Sequence, residues 1–180
     1  MKSGFIAIVG RPNVGKSTLM NKLIKEKVAI VSDKAGTTRD QIKGIINIGE
    51  NQYIFMDTPG IHKPKHLLGE HMTNVALDTL NNADLILFML DGTQGISTGD
   101  MFVNENAKNS KTPIVLIINK IDKMTDEDIA LKLEEVKEKL GEFAGIITMT
   151  GEYGIGVHKI FEVSEKYLSN DMWFYPEDYY

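Results

Sequence analysis

The sequence has no cysteine and, in 180 residues, only one tryptophan and five prolines. Without thiols there is neither a disulfide framework nor a thiolate zinc site, which suits a reducing compartment and makes the cytoplasm the expected location. Basic charge is scarce as well. The 20 Lys and Arg stand against 25 Asp and Glu, a net charge of −5, which argues against a broad phosphate-backbone footprint on this chain. Long apolar runs are missing too. The opening MKSGFIAIVGRP breaks at Gly10, too short for the core of a signal peptide and far short of a membrane span. No internal repeat or low-complexity segment occurs. What is present, 42% apolar and 25% charged residues, is the composition of one globular domain.

Short apolar runs bounded by turn residues recur at Phe5 to Val9, Leu85 to Leu90, Ile114 to Ile118 and Ile146 to Met149. They predict buried strands of a mainly parallel sheet. Two more alternating stretches, Ile42 to Ile48 and Gln52 to Met56, flank Gly49-Glu50-Asn51 and predict a hairpin. Between strands the period becomes helical: Leu19, Leu23 and Ile24 after Lys16; Ile129, Leu133, Val136 and Leu140; then Val157, Ile160, Phe161, Tyr167 and Leu168. Thr125 followed by Asp126, Glu127 and Asp128 reads as a cap with charges matched to the helix dipole. Gly92-Thr-Gln-Gly95 fits an RNA-clamping pattern, but it precedes a helix expected near Ser97 and is set aside. The expectation is an α/β domain over residues 1–170: a six-stranded, mostly parallel sheet with one antiparallel edge strand and helices on both faces. Residues 171–180, with their aromatics and Pro176, read as the start of a linker.

Four segments carry chemistry. GRPNVGKS, residues 10 to 17, lies between a predicted strand and a predicted helix, the context in which G-x-x-x-x-G-K-[ST] cradles phosphates. Gly10, Asn13, Val14, Gly15, Lys16, Ser17 and Thr18 are expected around the phosphate chain. Lys16 would put its charge on the β and γ phosphates and Ser17 its hydroxyl on Mg²⁺. DTPG, residues 57 to 60, ends the next strand, with Asp57 expected at the same Mg²⁺ and the Gly60 N–H at the γ-phosphate. NKID, residues 119 to 122, follows Ile114 to Ile118. A carboxylate only accepts, so Asp122 can take guanine N1–H and its 2-amino group, which adenine does not offer. Asn119 and Lys120 complete that element. AGTTRD, residues 35 to 40, supplies a threonine for the metal shell, with Thr38 chosen and Thr37 the alternative. His62, His66, His71 and His158 show no metal-site spacing.

With GRPNVGKSTLMN, TTR, DTPGIHKPKHLLGEHM, NADLILFMLDG, NKID and the tail FYPED in this order, nearly the whole chain resembles the Era family of bacterial GTPases. The resemblance implies a P-loop NTPase G domain that binds GTP and GDP with Mg²⁺ and acts in small-subunit ribosome assembly. It implies further that Thr150 and Gly151 form the last guanine contact. Relatives read Ser-Ala-Leu there, so this Thr-Gly-Glu is a departure, and weaker nucleotide affinity is the expectation. AGTTRD is a second departure, leaning toward the Der and MnmE GTPases. Ile61 stands where Ras-like enzymes keep a water-positioning glutamine. The resemblance implies that, as in several members of this class, a potassium ion supplies charge instead, with Asn13 matching its ligand. Lys16, Thr38 and Gly60 are the expected catalytic residues. The family adds a C-terminal KH domain that binds 16S rRNA and the 30S subunit, and some members associate peripherally with the inner membrane. This chain is expected to lack the KH domain and its rRNA specificity. The alternatives are a non-hydrolysing guanine-nucleotide module, a Der-like GTPase domain, and a P-loop kinase, the last disfavoured by NKID.

Overall fold

Runs of Ile, Leu and Val become central strands because β-branched and aliphatic side chains fill both faces of a covered sheet. The computed structural model describes residues 2–11, 14–26, 29–30, 42–58, 74–150 and 156–172. Along the chain come β1 (Lys2–Val9), α1 (Lys16–Glu26), β2 (Ala29–Ile30), β3 (Ile42–Ile48), β4 (Asn51–Asp57) and α2 (Asn74–Asn82). They are followed by β5 (Leu85–Asp91), α3 (Thr98–Asn109), β6 (Ile114–Asn119), α4 (Asp126–Lys139), β7 (Gly145–Thr148) and α5 (Val157–Glu165). Every residue of β5 and of β6 is buried.

The strands form one sheet in the order β2-β3-β4-β1-β5-β6-β7. β4, β1, β5, β6 and β7 run parallel, while β3 is antiparallel to both β4 and β2. All six expected strands are present. The two residues of β2 add a seventh outside β3, so the antiparallel strand is not itself the edge. Two residues are too few to show a period of their own. The hairpin turns at Gly49-Glu50, with φ of +58° at Gly49 only, the sign pattern of a II′ turn. An extra residue between Ile42 and Gly44 shifts the register of β3 on β4.

Alternation along the strands assigns the two faces. Ala7, Val9, Phe88 and Leu116 pack with Leu80 of α2, Val103 of α3 and Val136 of α4. Ile6, Ile8, Leu87 and Ile117 pack with Leu19 and Leu23 of α1 and Ile160 of α5. Helices therefore cover both faces, and the carboxyl ends of the parallel strands β4, β1, β5, β6 and β7 open at one rim, where ligands of such sheets bind. α4 starts as its sequence indicates: the Thr125 side chain accepts from Asp128 N–H, and the Asp128 carboxylate accepts from Thr125 N–H. α3 starts the same way on Ser97 and Asp100. α5 stops at Glu165, short of the periodic Tyr167 and Leu168, because the chain turns back to pair with β1. Ser3 and Asn170 exchange backbone hydrogen bonds of 2.9 and 3.1 Å. Ser169 Oγ donates to Asp84 Oδ1 at 2.6 Å, while Leu168 is buried so close that a Cβ on Gly4 would lie 2.9 Å from it.

Candidate functional site

β1 ends at Val9, and the glycine after it is required by crowding. A Cβ on Gly10 would lie 2.9 Å from the Met89 carbonyl oxygen. Val14 is fully buried and anchors the loop in the core. Gly15 has φ +110°, and a Cβ there would meet Asn119 Nδ2 at 2.3 Å. Lys16 is the first residue of α1, and Leu19 N–H bonds Gly15 C=O at 2.9 Å. Ser17 and Thr18 follow, exposed, on the first turn, and the N–H groups of a helix's first turn suit an anion. Asn13 lies outside the described residues, as do Thr37, Thr38, Gly60, Ile61, Gly151 and the 173–175 aromatics.

A cleft of about 340 Å³ opens beside this turn, lined by Lys16, Ser17, Asn21, Lys43 and Asp57 among others. Burial pushes the Lys16 ammonium below its ordinary value, and the Asp57 carboxylate opposes that shift. Asp57 is placed by the parallel register, which pairs it with Ile8. Its Oδ1 accepts from Thr58 N–H at 2.9 Å, and the buried Thr58 hydroxyl donates to Ile8 C=O at 3.0 Å. That bond ties the end of β4 to the approach of the phosphate loop. The donors facing the cleft suit a small hard cation: a hydroxyl and one carboxylate, with phosphates and water left to complete an octahedron. No group of three or more His, Cys, Asp or Glu is clustered for a metal among the described residues.

The residues of the NKID segment stand at the end of β6. Asn119 is buried, and its Nδ2 donates to Val14 C=O at 3.0 Å. Lys120 takes a left-handed conformation, φ +68°, and its Nζ lies 2.7 Å from Asp91 Oδ2. Asp91 Oδ1 accepts from Thr93 N–H at 2.9 Å and from its hydroxyl at 2.6 Å. Burial alone would raise the Asp91 carboxyl, but the bonds from Lys120 and Thr93 outweigh it and hold the group below its ordinary value. A single turn of 3-10 helix, Ile121–Lys123, presents Asp122 to solvent. Ile121 N–H bonds Met149 C=O at 3.3 Å, which brings Thr150 alongside. Thr150 is buried, and its hydroxyl has no partner among the described residues.

Lys16, Ser17 and Asp57 thus share one cleft, and Asn119, at the end of β6, is bonded to the loop that follows β1. His158 sits apart, exposed on α5. Sequence reasoning did not single out Asp91, Thr58, Gln94 or Arg11. Asp91 had a readable signal, since a carboxylate ending a fully buried strand sits where ligands of parallel sheets bind. Thr58, Arg11 and Gln94 lie within quoted segments, but their bonds are to residues far along the chain, which no local pattern reveals.

A family model described as a 50S ribosome-binding GTPase matches residues 5–120. A GTPase Era of Fusobacterium nucleatum subsp. nucleatum is 58% identical over 181 residues, covering 100% of this chain and 61% of that protein. Among solved structures, an Aquifex aeolicus Era variant bound to GDP and AlF4⁻ matches with a TM-score of 0.79 at 42% identity. An Era in complex with MgGDPNP and nucleotides 1506–1542 of 16S ribosomal RNA matches with a TM-score of 0.79 at 41% identity. Each structural match covers 99% of this chain and 61% of the other. The chain therefore spans 61% of the length of these relatives.

Proposed function

Because the chain belongs to the 50S ribosome-binding GTPase family, as a homologue of the Era G domain, we propose that it binds GTP and cleaves it to GDP and phosphate. The observation that carries this reading is the Asn119 Nδ2 to Val14 C=O bond of 3.0 Å. It joins a loop built for a base to a loop built for phosphates, so one molecule bearing both groups is held at both ends. Asp122 selects guanine, supported by Lys120 and by Thr150 and Gly151. Gly10, Val14, Gly15, Lys16, Ser17 and Thr18 cradle the phosphates through backbone N–H groups and the Lys16 charge. Ser17 and Asp57 would hold Mg²⁺, with Thr38 as the proposed third ligand. When bound, the ion would supply charge neutralisation for the phosphates.

Water attacks the γ-phosphorus as the bond to the β–γ bridging oxygen breaks, and Lys16 stabilises the charge that develops on that oxygen. The Gly60 N–H would bond the γ-phosphate. Ile61 cannot orient the water. In its stead we propose a potassium ion held by Asn13, giving the charge that an arginine finger gives elsewhere, worth ~10³ to 10⁵ in rate. The deciding experiment is single-turnover GTP cleavage with Mg²⁺ in KCl and in NaCl at equal ionic strength, for wild type and Asn13→Ala. Faster cleavage in potassium, lost in the variant, supports the proposal. GTP binding without cleavage in either salt leaves a nucleotide-sensing module.

The wider role rests on the family. In a longer protein this domain would switch the binding of 16S rRNA and the 30S subunit during assembly, in the cytoplasm and with peripheral contact to the inner membrane. Its own net charge of −5 gives it no specific rRNA footprint. Filter binding to the 3′ end of 16S rRNA tests the first point, and vesicle flotation tests the second. Among the described residues, no helix is long and apolar enough to cross a membrane.

A further inference from the structure

An arginine in a phosphate loop is most simply read as a phosphate contact, but Arg11 is already engaged elsewhere. Its Nε lies 3.0 Å from Asp100 Oδ1, and its Nη2 donates to the Gln94 side-chain oxygen. The stem passes beside Gly99, where even a Cβ would make only ordinary van der Waals contact, 3.7 Å from Arg11 Cβ and Cδ. The guanidinium therefore points to the β5–α3 loop. That loop is a stiff support. Asp100 is buried, and its second oxygen, Oδ2, accepts from Ser97 N–H at 2.9 Å and Ser97 Oγ at 3.1 Å, closing the cap of α3. Gln94 is held from beneath by the buried Lys132, whose Nζ donates to Gln94 C=O at 2.6 Å and pairs with Glu135 at 2.7 Å. Gln94 N–H bonds Asp91 C=O at 3.2 Å.

We infer that Arg11 is a positioning residue for nucleotide binding: its fork on Asp100 and Gln94 fixes the entry of the phosphate loop against the first turn of α3. The inference rests on the nucleotide-site reading above and assigns the β5–α3 loop a role in it. The same loop starts at Asp91, which holds Lys120 of the base loop. It thus supports the two halves of the site through separate side chains, Arg11 for the phosphate half and Asp91 for the base half. A planar fork with two partners suits this task, because it sets an orientation as well as a distance, which a lysine cannot do.

The two arms separate by nucleotide chemistry. Competition against a fluorescent GDP analogue gives affinities for GDP, GMP and IDP in wild type, Arg11→Gln, Arg11→Lys and Gln94→Leu. IDP lacks the 2-amino group and reports the base half, while GMP lacks the β-phosphate and reports the loop. In Arg11→Gln the preference for GDP over GMP is expected to fall about tenfold, the scale of one charge-assisted hydrogen bond, with the GDP-to-IDP ratio unchanged. Arg11→Lys should recover part of the loss through Asp100 alone, and Gln94→Leu should show a smaller loss of the same kind. If Arg11→Gln does not fold, Gln94→Leu decides by the same ratio. An equal loss for all three nucleotides, or an unchanged GDP-to-GMP ratio, overturns the inference and leaves Arg11 a structural residue. Wild type that binds none of the three overturns the nucleotide-site reading itself.

Discussion

The contact between Gly15 and Asn119 can be attacked from either side, and the structure requires the two attacks to be non-additive. A Cβ at Gly15 would stand 2.3 Å from Asn119 Nδ2, with Asn119 Cγ and Met89 Sδ next at 3.6 Å. At φ +110° an alanine is also strained, by ~1–3 kcal/mol. To make way, the Asn119 amide must leave the Val14 carbonyl, and a buried acceptor left unpaired costs ~1–3 kcal/mol. Gly15→Ala is thus expected to destabilise the domain by about 2–6 kcal/mol. Asn119→Ala removes the same hydrogen bond without strain, at about 1–3 kcal/mol. In the double variant the first clash is gone, Met89 Sδ at 3.6 Å is an ordinary contact, and the lost bond counts once. The double variant should therefore be more stable than the sum of the singles implies, by ~1–3 kcal/mol. Urea denaturation of all four proteins is the assay, without nucleotide because a bound ligand adds stability by mass action. Additivity within ~0.5 kcal/mol would refute the reasoning, since it would mean the two residues do not share this contact.

Lys16→Met is expected to stabilise the nucleotide-free domain at pH 7 while weakening GDP binding by ~10- to 100-fold. Burial lowers the folded pKa of Lys16 beneath its ordinary 10.5, so wild-type stability should rise as pH climbs toward that value; thermal melts across pH check the sign. Asp91→Asn should lose about 1.5–3 kcal/mol at neutral pH with the charged bond from Lys120. The folded Asp91 pKa lies below its ordinary 3.8, so its contribution is present above that value and fades as pH falls through the folded pKa. The variant's acid limb should accordingly be shallower in a pH titration of stability. On the proposed guanine reading, Asp122→Asn would set a donor in place of an acceptor opposite the 2-position of the base. Xanthine nucleotides should then bind in preference to guanine nucleotides, with about 10⁴ lost in affinity for the latter, measured by calorimetry.

Much of the fold was legible because its strongest signals are local. Strands covered on both faces must be apolar throughout, and β5 and β6 are. The α4 start was readable because Thr125 and Asp128 cap it within one turn. The helix α2 was not anticipated, since its sequence NVALDTLNN is rich in poor helix formers. Burial of Ala76 and Leu80 against the sheet holds it instead. Likewise β2 exists only as a partner of Ile45 and Ile46, and the end of α5 was set by the return of Asn170 to Ser3.

Sequence alone was enough for the alternation of strand and helix and for the residue types, at short spacing, from which a phosphate, cation and guanine site is proposed. Those properties depend on residue type and on spacing of a few positions, where the backbone geometry is nearly invariant. Tertiary structure alone decided how the parts join. Asn119 meets Val14 across 105 residues, Arg11 meets Asp100 across 89, and Lys120 meets Asp91 across 29. Each pair is made by strand order and parallel register, which bring distant carboxyl ends to one rim, and no local pattern encodes that proximity.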